Sequence, residues 1–192
     1  MELPIFVDHS AWKVVSSSSD SQGEEAQNAI DGDPSTYWHT RWHEPIPEFP
    51  HSIVVDMASL LVVDKFIYTA RHSNDNGHVK DYELSLSKDG KNWESTVKGT
   101  FSNLTSAQTI TLETPVTARY FKFVPLSEMH GRKWASAAEL NVSILKNISG
   151  ASQRQIVVSV DSDADNSMKL AADGNINTYW HTVHNQFYIA PY

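Results

Sequence analysis

One twelve-residue stretch occurs twice in this chain. Ala29–Thr40 reads AIDGDPSTYWHT and Ala171–Thr182 reads AADGNINTYWHT, with eight of the twelve positions identical. Upstream, Val14-Val15-Ser16 and Asp20-Ser21 recur as Val157-Val158-Ser159 and Asp161-Ser162. A repeat spacing this long is a whole domain, not the unit of a solenoid. It places one complete domain over residues 1–145, a polar linker over 146–155 (KNISGASQRQ), and the start of a second copy over 156–192. About forty residues cannot supply the strands of a second whole domain.

The first domain reads as β-structure. Asp81–Ser87 alternates Tyr82, Leu84 and Leu86 with Glu83, Ser85 and Ser87. Gln108–Leu112 puts Ile110 and Leu112 on one face, and Arg119–Pro125 does the same for Phe121 and Phe123. Ser52–Met57 and Val62–Ala70 are rich in Val, Ile, Phe and Tyr. Turn signals separate the runs: Asp31-Gly32-Asp33-Pro34, Asn76-Gly77, Asp89-Gly90 and His130-Gly131. Only Glu24–Ala29 has a helical look. Many short strands with polar turns predict an all-β antiparallel sandwich or barrel.

Composition removes several functions. The 192 residues carry a net charge of −8 and no cationic cluster, so nucleic acid and anionic membrane surfaces are poor partners. The absence of cysteine excludes disulfides and thiolate chemistry. No apolar run is long enough for membrane insertion, and the first residues lack the pattern of a signal peptide. Nine His fall in no zinc-binding spacing, and no GxSxG or phosphate-cradling motif occurs. Catalysis by this chain is not expected.

Four passages can carry chemistry, and each has a plainer alternative. Asn28–Thr36 (NAIDGDPST) is oxygen-rich, as Ca²⁺ requires; it also reads simply as a turn in which Asp31 accepts backbone N–H groups. In Tyr37–Trp42, Trp38 belongs in the core and His39 on the opposite face, with Trp42 beyond it. A His beside an exposed Trp can hold a sugar, the ring under a pyranose and the imidazole on a hydroxyl; it can equally be a capping His and a packed Trp. Arg71–Gly77 (RHSNDNG) offers guanidinium and amide donors, or is a solvated loop. In Met129–Leu140, Trp134 lies in a loop and Glu139 in an apolar setting. Glu139 either partners the Asp31 loop, because an isolated buried carboxylate is costly, or faces water.

Taken together, NAIDGDPSTYWHTRW, PHSIVVDM, RHSNDNGHVKDYELSLSKDGKNW, ARYFKFVPL and KWASAAELNV resemble the F5/8 type C (discoidin-like) domain, in the form of the bacterial family 32 carbohydrate-binding modules. The resemblance covers about residues 10–145. It implies a jelly-roll β-sandwich of about eight strands. It implies a structural Ca²⁺ held by the side chains of Asp31 and Glu139, the hydroxyl and carbonyl of Thr36, and the carbonyls of Asn28, Asp33 and Ala138. It implies a non-catalytic module that binds a galactose- or N-acetylgalactosamine-type glycan and serves a glycoside hydrolase or related enzyme. The matching contacts are His39, Arg71 and Asn76, with Trp42 or Trp134 as the stacking ring. Gln22 falls where some members carry an acidic contact. Affinity would be weak, about 0.1–1 mM, and the module monomeric or part of a longer extracellular, cell-surface or periplasmic chain. The alternative is a protein- or lipid-binding discoidin domain; its usual Cys pair and apolar loop tips are not found. The second copy keeps His181, has His184 in place of Trp42, and lacks counterparts of Arg71, Asn76 and Glu139. As it stands it should neither close a metal site nor bind sugar.

Overall fold

The computed structural model describes Val7 and residues 9–144; the linker and second copy expected beyond them lie outside the described residues. The described residues form eight strands: β1 (Lys13–Ser17), β2 (Trp38–His39), β3 (Ile53–Thr69), β4 (Asp81–Ser87), β5 (Trp93–Thr100), β6 (Gln108–Pro125), β7 (Ser136–Ala137) and β8 (Glu139–Ile144). The helical look of Glu24–Ala29 resolves into one 3-10 turn, Ala26–Ile30, with Ala26, Ala29 and Ile30 buried.

All strand pairs are antiparallel, and the main sheet runs β1-β3-β6-β4-β5 with β8 also on β3. The two runs expected as separate strands, Ser52–Met57 and Val62–Ala70, are one ribbon, β3. Likewise Gln108–Leu112 and Arg119–Pro125 are both part of β6. Pairing of β3 with β6 slips between Asp56 and Leu61 and again between Val63 and Lys65. At the first slip Ala58 takes φ 65°, and Ala58, Ser59 and Leu60 are exposed. The sequence shows the apolar alternation stopping there. The chain does not turn back; it bends and continues.

The bend lets one ribbon supply both layers of a sandwich. Ile53, Val55 and Met57 before it and Leu61, Val63, Phe66 and Tyr68 after it all bury toward one core. Phe66 meets Phe121 and Phe123 at ring-centroid distances of 5.2 and 5.5 Å, although β6 pairs those two residues with Val55 and Ile53. The second half of β3 therefore packs across the core onto the first. Tyr68, Tyr82, Phe101 and Phe123 extend this aromatic stack. Such pairs add geometric preference to the area that they remove from water.

Alternation in β4 holds for its apolar face: Tyr82, Leu84 and Leu86 are buried. Ser85 and Ser87, expected in solvent, are buried too. Their cross-strand neighbours explain this. Ser87 lies between Tyr120 and Trp93, and Ser85 beside Lys122, whose ammonium sits 4.7 Å above the Trp93 ring. Long side chains roof the outer face, and two small hydroxyl residues fit beneath them. Ser87 Oγ then caps the Asp89-Gly90 turn by accepting the Gly90 N–H at 2.9 Å.

Candidate functional site

The short pair β2–β7 lies apart from the main sheet, with His39 opposite Ser136 and Trp38 opposite Ala137. Trp38 is in the core, as expected, and its indole N–H donates to the Ser19 carbonyl at 3.1 Å. His39 departs from expectation: it is 2% exposed, not an outward-facing residue. The reason is local. Ser21 and Glu24 clasp its backbone, through Ser21 N–H to the His39 carbonyl and His39 N–H to the Glu24 carbonyl, both at 3.0 Å. With β7 on the other side, little of the ring remains in water.

That ring borders a cavity of about 280 Å³, lined by Glu24, His39, Trp42, Arg71, Asn76 and Trp134. Five of these are the residues expected at a ligand site. The sixth, Glu24, is a correction to the sequence reading. Gln22 is exposed and does not line the cavity; the acidic group is two residues further on. Gly23, at φ +81°, turns the chain between them, and a linear reading of spacing misses that turn.

Each polar group is held by a second residue. His39 Nδ1–H donates to the Thr40 carbonyl at 2.6 Å. A carbonyl only accepts, so the neutral ring keeps Nε2 as an acceptor. Burial holds the imidazole below its ordinary range, aided by the Arg71 charge and opposed by the Thr40 bond and Glu24. The Arg71 guanidinium carbon lies over the Tyr37 ring, 4.0 Å from its centroid. Its Nη2 donates to the Tyr37 hydroxyl at 2.8 Å, and Nε and Nη2 both donate to Ser73 Oγ. The Tyr37 hydroxyl in turn donates to Glu24 Oε1 at 2.8 Å. One phenol oxygen therefore bridges a guanidinium and a carboxylate. Glu24 Oε2 is buried without a hydrogen-bond partner. Tyr37 belongs to the repeated TYWHT motif, but nothing in its spacing reveals this bridge.

Asn76 and Trp134 come from different loops that are locked together. Ser136 N–H donates to the Gly77 carbonyl at 2.7 Å and Ser136 Oγ–H to the Asn76 carbonyl at 2.9 Å. Gly77 has φ +78°, and a Cβ there would lie 2.8 Å from the Ser136 nitrogen and 2.9 Å from the Ala135 carbonyl carbon. Only glycine allows both the backbone conformation and the approach. His78 Nε2–H donates to the Arg71 carbonyl at 3.0 Å, and Arg132 donates to Asp75. The buried Tyr68 hydroxyl joins the same frame, donating to the Ser136 carbonyl and accepting the Val79 N–H. Trp42, by contrast, is 52% exposed and rims the cavity.

The Asp31 loop lies on the far side of Tyr37. Asp31 accepts the Asp33 N–H at 2.8 Å and the Thr36 hydroxyl at 2.7 Å. The Asp33 carboxylate is engaged by Ser35, through N–H and Oγ–H. Asn28 Nδ2 donates to the Tyr37 carbonyl at 3.2 Å, and Ala138 N–H to the Thr69 carbonyl at 2.8 Å. Glu139, first residue of β8, directs its carboxylate at this loop. Both of its oxygens are buried and neither makes a well-formed hydrogen bond. Burial pushes its carboxyl up to about 7, and the negative charge of Asp31, then of Asp33, adds to the shift, while the nearby Gly32 N–H opposes it only in part.

A buried, poorly hydrogen-bonded carboxylate facing another carboxylate is an unfavourable arrangement that a cation relieves. The donor set is all oxygen, which suits Ca²⁺. Among the described residues no three His, Asp or Glu side chains converge. A cation here would thus rely on the hydroxyl of Thr36 and on backbone carbonyls to complete its shell. The six expected ligand residues, Asn28, Asp31, Asp33, Thr36, Ala138 and Glu139, all lie on this loop or at the start of β8.

The profile of the F5/8 type C domain matches residues 13–140. The chain is 39% identical over 119 residues to a sialidase of Micromonospora viridifaciens, covering 61% of this chain and 18% of that protein. It is 36% identical over 134 residues to a galactose oxidase of Gibberella zeae, covering 68% and 19%. It thus spans less than a fifth of the curated relatives that it matches. Among solved structures, a family 32 carbohydrate-binding module from C. perfringens NanJ in complex with galactose aligns with a TM-score of 0.64 at 29% identity, over 71% of this chain and 96% of the module. A second module of this family from Clostridium perfringens, solved with GalNAc-β-1,3-galactose, gives 0.65 at 34% identity, over 71% and 97%. The chain belongs to the F5/8 type C domain family, and its fold is the antiparallel β-sandwich expected from the sequence.

Proposed function

We propose that this F5/8 type C domain is a non-catalytic carbohydrate-binding module that recognises terminal galactose or N-acetylgalactosamine. The observation that carries the reading is the cavity. His39, Arg71 and Asn76 converge there with Trp42, Trp134 and Glu24. Neutral His39 and Glu24 accept hydroxyl protons, Arg71 and Asn76 donate, and an indole packs on the apolar face of the pyranose. The solved neighbours with galactose and with GalNAc-β-1,3-galactose support the same class of ligand. The curated relatives are much longer enzymes. That supports an accessory role beside a catalytic domain of a longer extracellular protein. Among the described residues no helix is long and apolar enough to cross a membrane.

The same reading gives the Asp31 loop a structural role. Ca²⁺, held by Asp31, Glu139, Thr36 and the carbonyls of Asn28, Asp33 and Ala138, would tie the loop to β8. The ion would supply charge neutralisation there and no chemistry on the ligand.

Titration with methyl β-galactoside and with N-acetylgalactosamine, followed by tryptophan fluorescence and chemical shifts, tests the proposal. Saturable shifts in the millimolar range are expected, lost in His39→Ala and Arg71→Ala. No response to either sugar, or an unchanged response in both variants, overturns it.

A further inference from the structure

Tyr37 stands between two depressions. On one side its hydroxyl organises Glu24 and Arg71 of the cavity described above. On the other, Tyr37 lines a second, open depression of about 410 Å³ with Pro34, Ser35, His72 and Ser73. The two share a wall, because Ser73 Oγ receives the Arg71 Nε and Nη2 hydrogens.

The groups in this second depression suit a sugar ring. Tyr37 and Pro34 provide apolar surface of the kind that packs on a pyranose face. His72 Nε2–H donates to the Thr105 carbonyl at 3.1 Å, so the neutral ring holds Nδ1 as an acceptor. Ser73 Oγ accepts from Arg71, and its hydroxyl is engaged with Tyr37. The depression therefore offers a hydrogen-bond acceptor at His72 and an aromatic wall, directly beside the Arg71 cavity. No charged side chain lines it, which disfavours an ionic partner.

We infer that the depression of Pro34, Ser35, Tyr37, His72 and Ser73 is a second subsite, taking the sugar unit next to the one in the Arg71 cavity. The inference rests on the carbohydrate-binding reading. The occupant is a neutral oligosaccharide of at least two units, and His72 is its specificity-determining residue.

Calorimetric titration of the full chain tests this with methyl β-galactoside, lactose, galactosyl-β-1,3-N-acetylgalactosamine and N-acetylgalactosaminyl-β-1,3-galactose. At least one disaccharide should bind about fivefold tighter than the monosaccharide, the scale of one added hydrogen bond and ring contact. His72→Ala should erase that gain and leave methyl β-galactoside affinity unchanged. His72 is exposed and its loop has other anchors, so the variant should fold. If methyl β-galactoside binds but no disaccharide binds tighter, or if the gain survives His72→Ala, the second subsite is wrong and the first cavity stands. If methyl β-galactoside itself does not bind, both readings fall.

Discussion

Replacing Tyr37 by Phe removes one oxygen and keeps the ring under Arg71. That oxygen accepts from Arg71 Nη2 and donates to Glu24 Oε1, each at 2.8 Å. Glu24 Oε2 is already buried without a donor, so the variant leaves the whole carboxylate unsatisfied. Orphaning a partly buried charged group costs about 1–3 kcal/mol. The guanidinium is partly protected, because Ser73 still receives Nε and Nη2. The cheapest relief is for Arg71 and Glu24 to pair directly, and such a pair draws both groups away from a sugar. Affinity for methyl β-galactoside should then fall about tenfold, equal to about 1.4 kcal/mol. Titration calorimetry reads the affinity, and thermal unfolding reads the stability change separately. The variant should also lose discrimination: a deoxygalactoside lacking the hydroxyl that Glu24 and Arg71 hold should bind equally to both proteins. Wild-type affinity in Tyr37→Phe, or an equal loss for every deoxy-sugar, would refute the bridging role.

Gly77→Ala combines a φ of +78° with a Cβ 2.8 Å from the Ser136 nitrogen. It should cost about 1–2 kcal/mol from backbone strain alone, and more from loop separation, with sugar affinity falling with the melting temperature. Saturating Ca²⁺ at about a hundred times its Kd should add about 2.7 kcal/mol to stability, or roughly 10 °C in melting temperature. EDTA should remove that gain and Glu139→Gln should abolish most of it, and an unaltered melt in EDTA would exclude the ion. Binding should depend on pH through His39. Its conjugate acid is weakened by burial, so Nε2 remains an acceptor at neutral pH. Affinity should be level above pH 6.5 and fall as pH drops through the lowered value, which NMR of the imidazole can follow. Stability should start to fall earlier, from about pH 6.5 down to the lowered values, because the unfolded chain takes up protons on His39 and His51 before the folded chain does.

The sequence shows the sandwich through its alternation: Tyr82, Leu84 and Leu86 of β4, and Phe121 and Phe123 of β6, are buried at every second position. It conceals that β3 and β6 are single bent ribbons. The bend is three exposed residues at an irregular register, and a gap in apolar pattern looks the same as a turn. The polar ligand residues are legible as types: His39, Arg71 and Asn76 all reach one cavity. Glu24 is not, because Gly23 displaces the acidic group from the position that linear spacing suggests. Tyr37 is missed for a different reason. Its role is made by two partners far away in the chain, Arg71 thirty-four positions on and Glu24 across a turn. The Asp31 loop alone favours a plain turn. The resemblance to F5/8 type C domains argues for more, and the poorly satisfied carboxylate of Glu139, brought in from β8, is what the structure adds to it.

The junction of Gly77 with Ser136 divides the cavity's parts by how freely they can be altered. Asn76 and Trp134 are fixed to each other through it, so a change in either loop must satisfy the other. Trp42 sits outside that frame, half in water on a separate segment. Substitution at an exposed position of this kind usually shifts stability by no more than about 0.5 kcal/mol. A lineage, or an engineer, can therefore exchange the ring at position 42 and retune which glycan face is preferred, without renegotiating the hydroxyl contacts. The interlocked grip and the adjustable platform would then evolve on separate clocks.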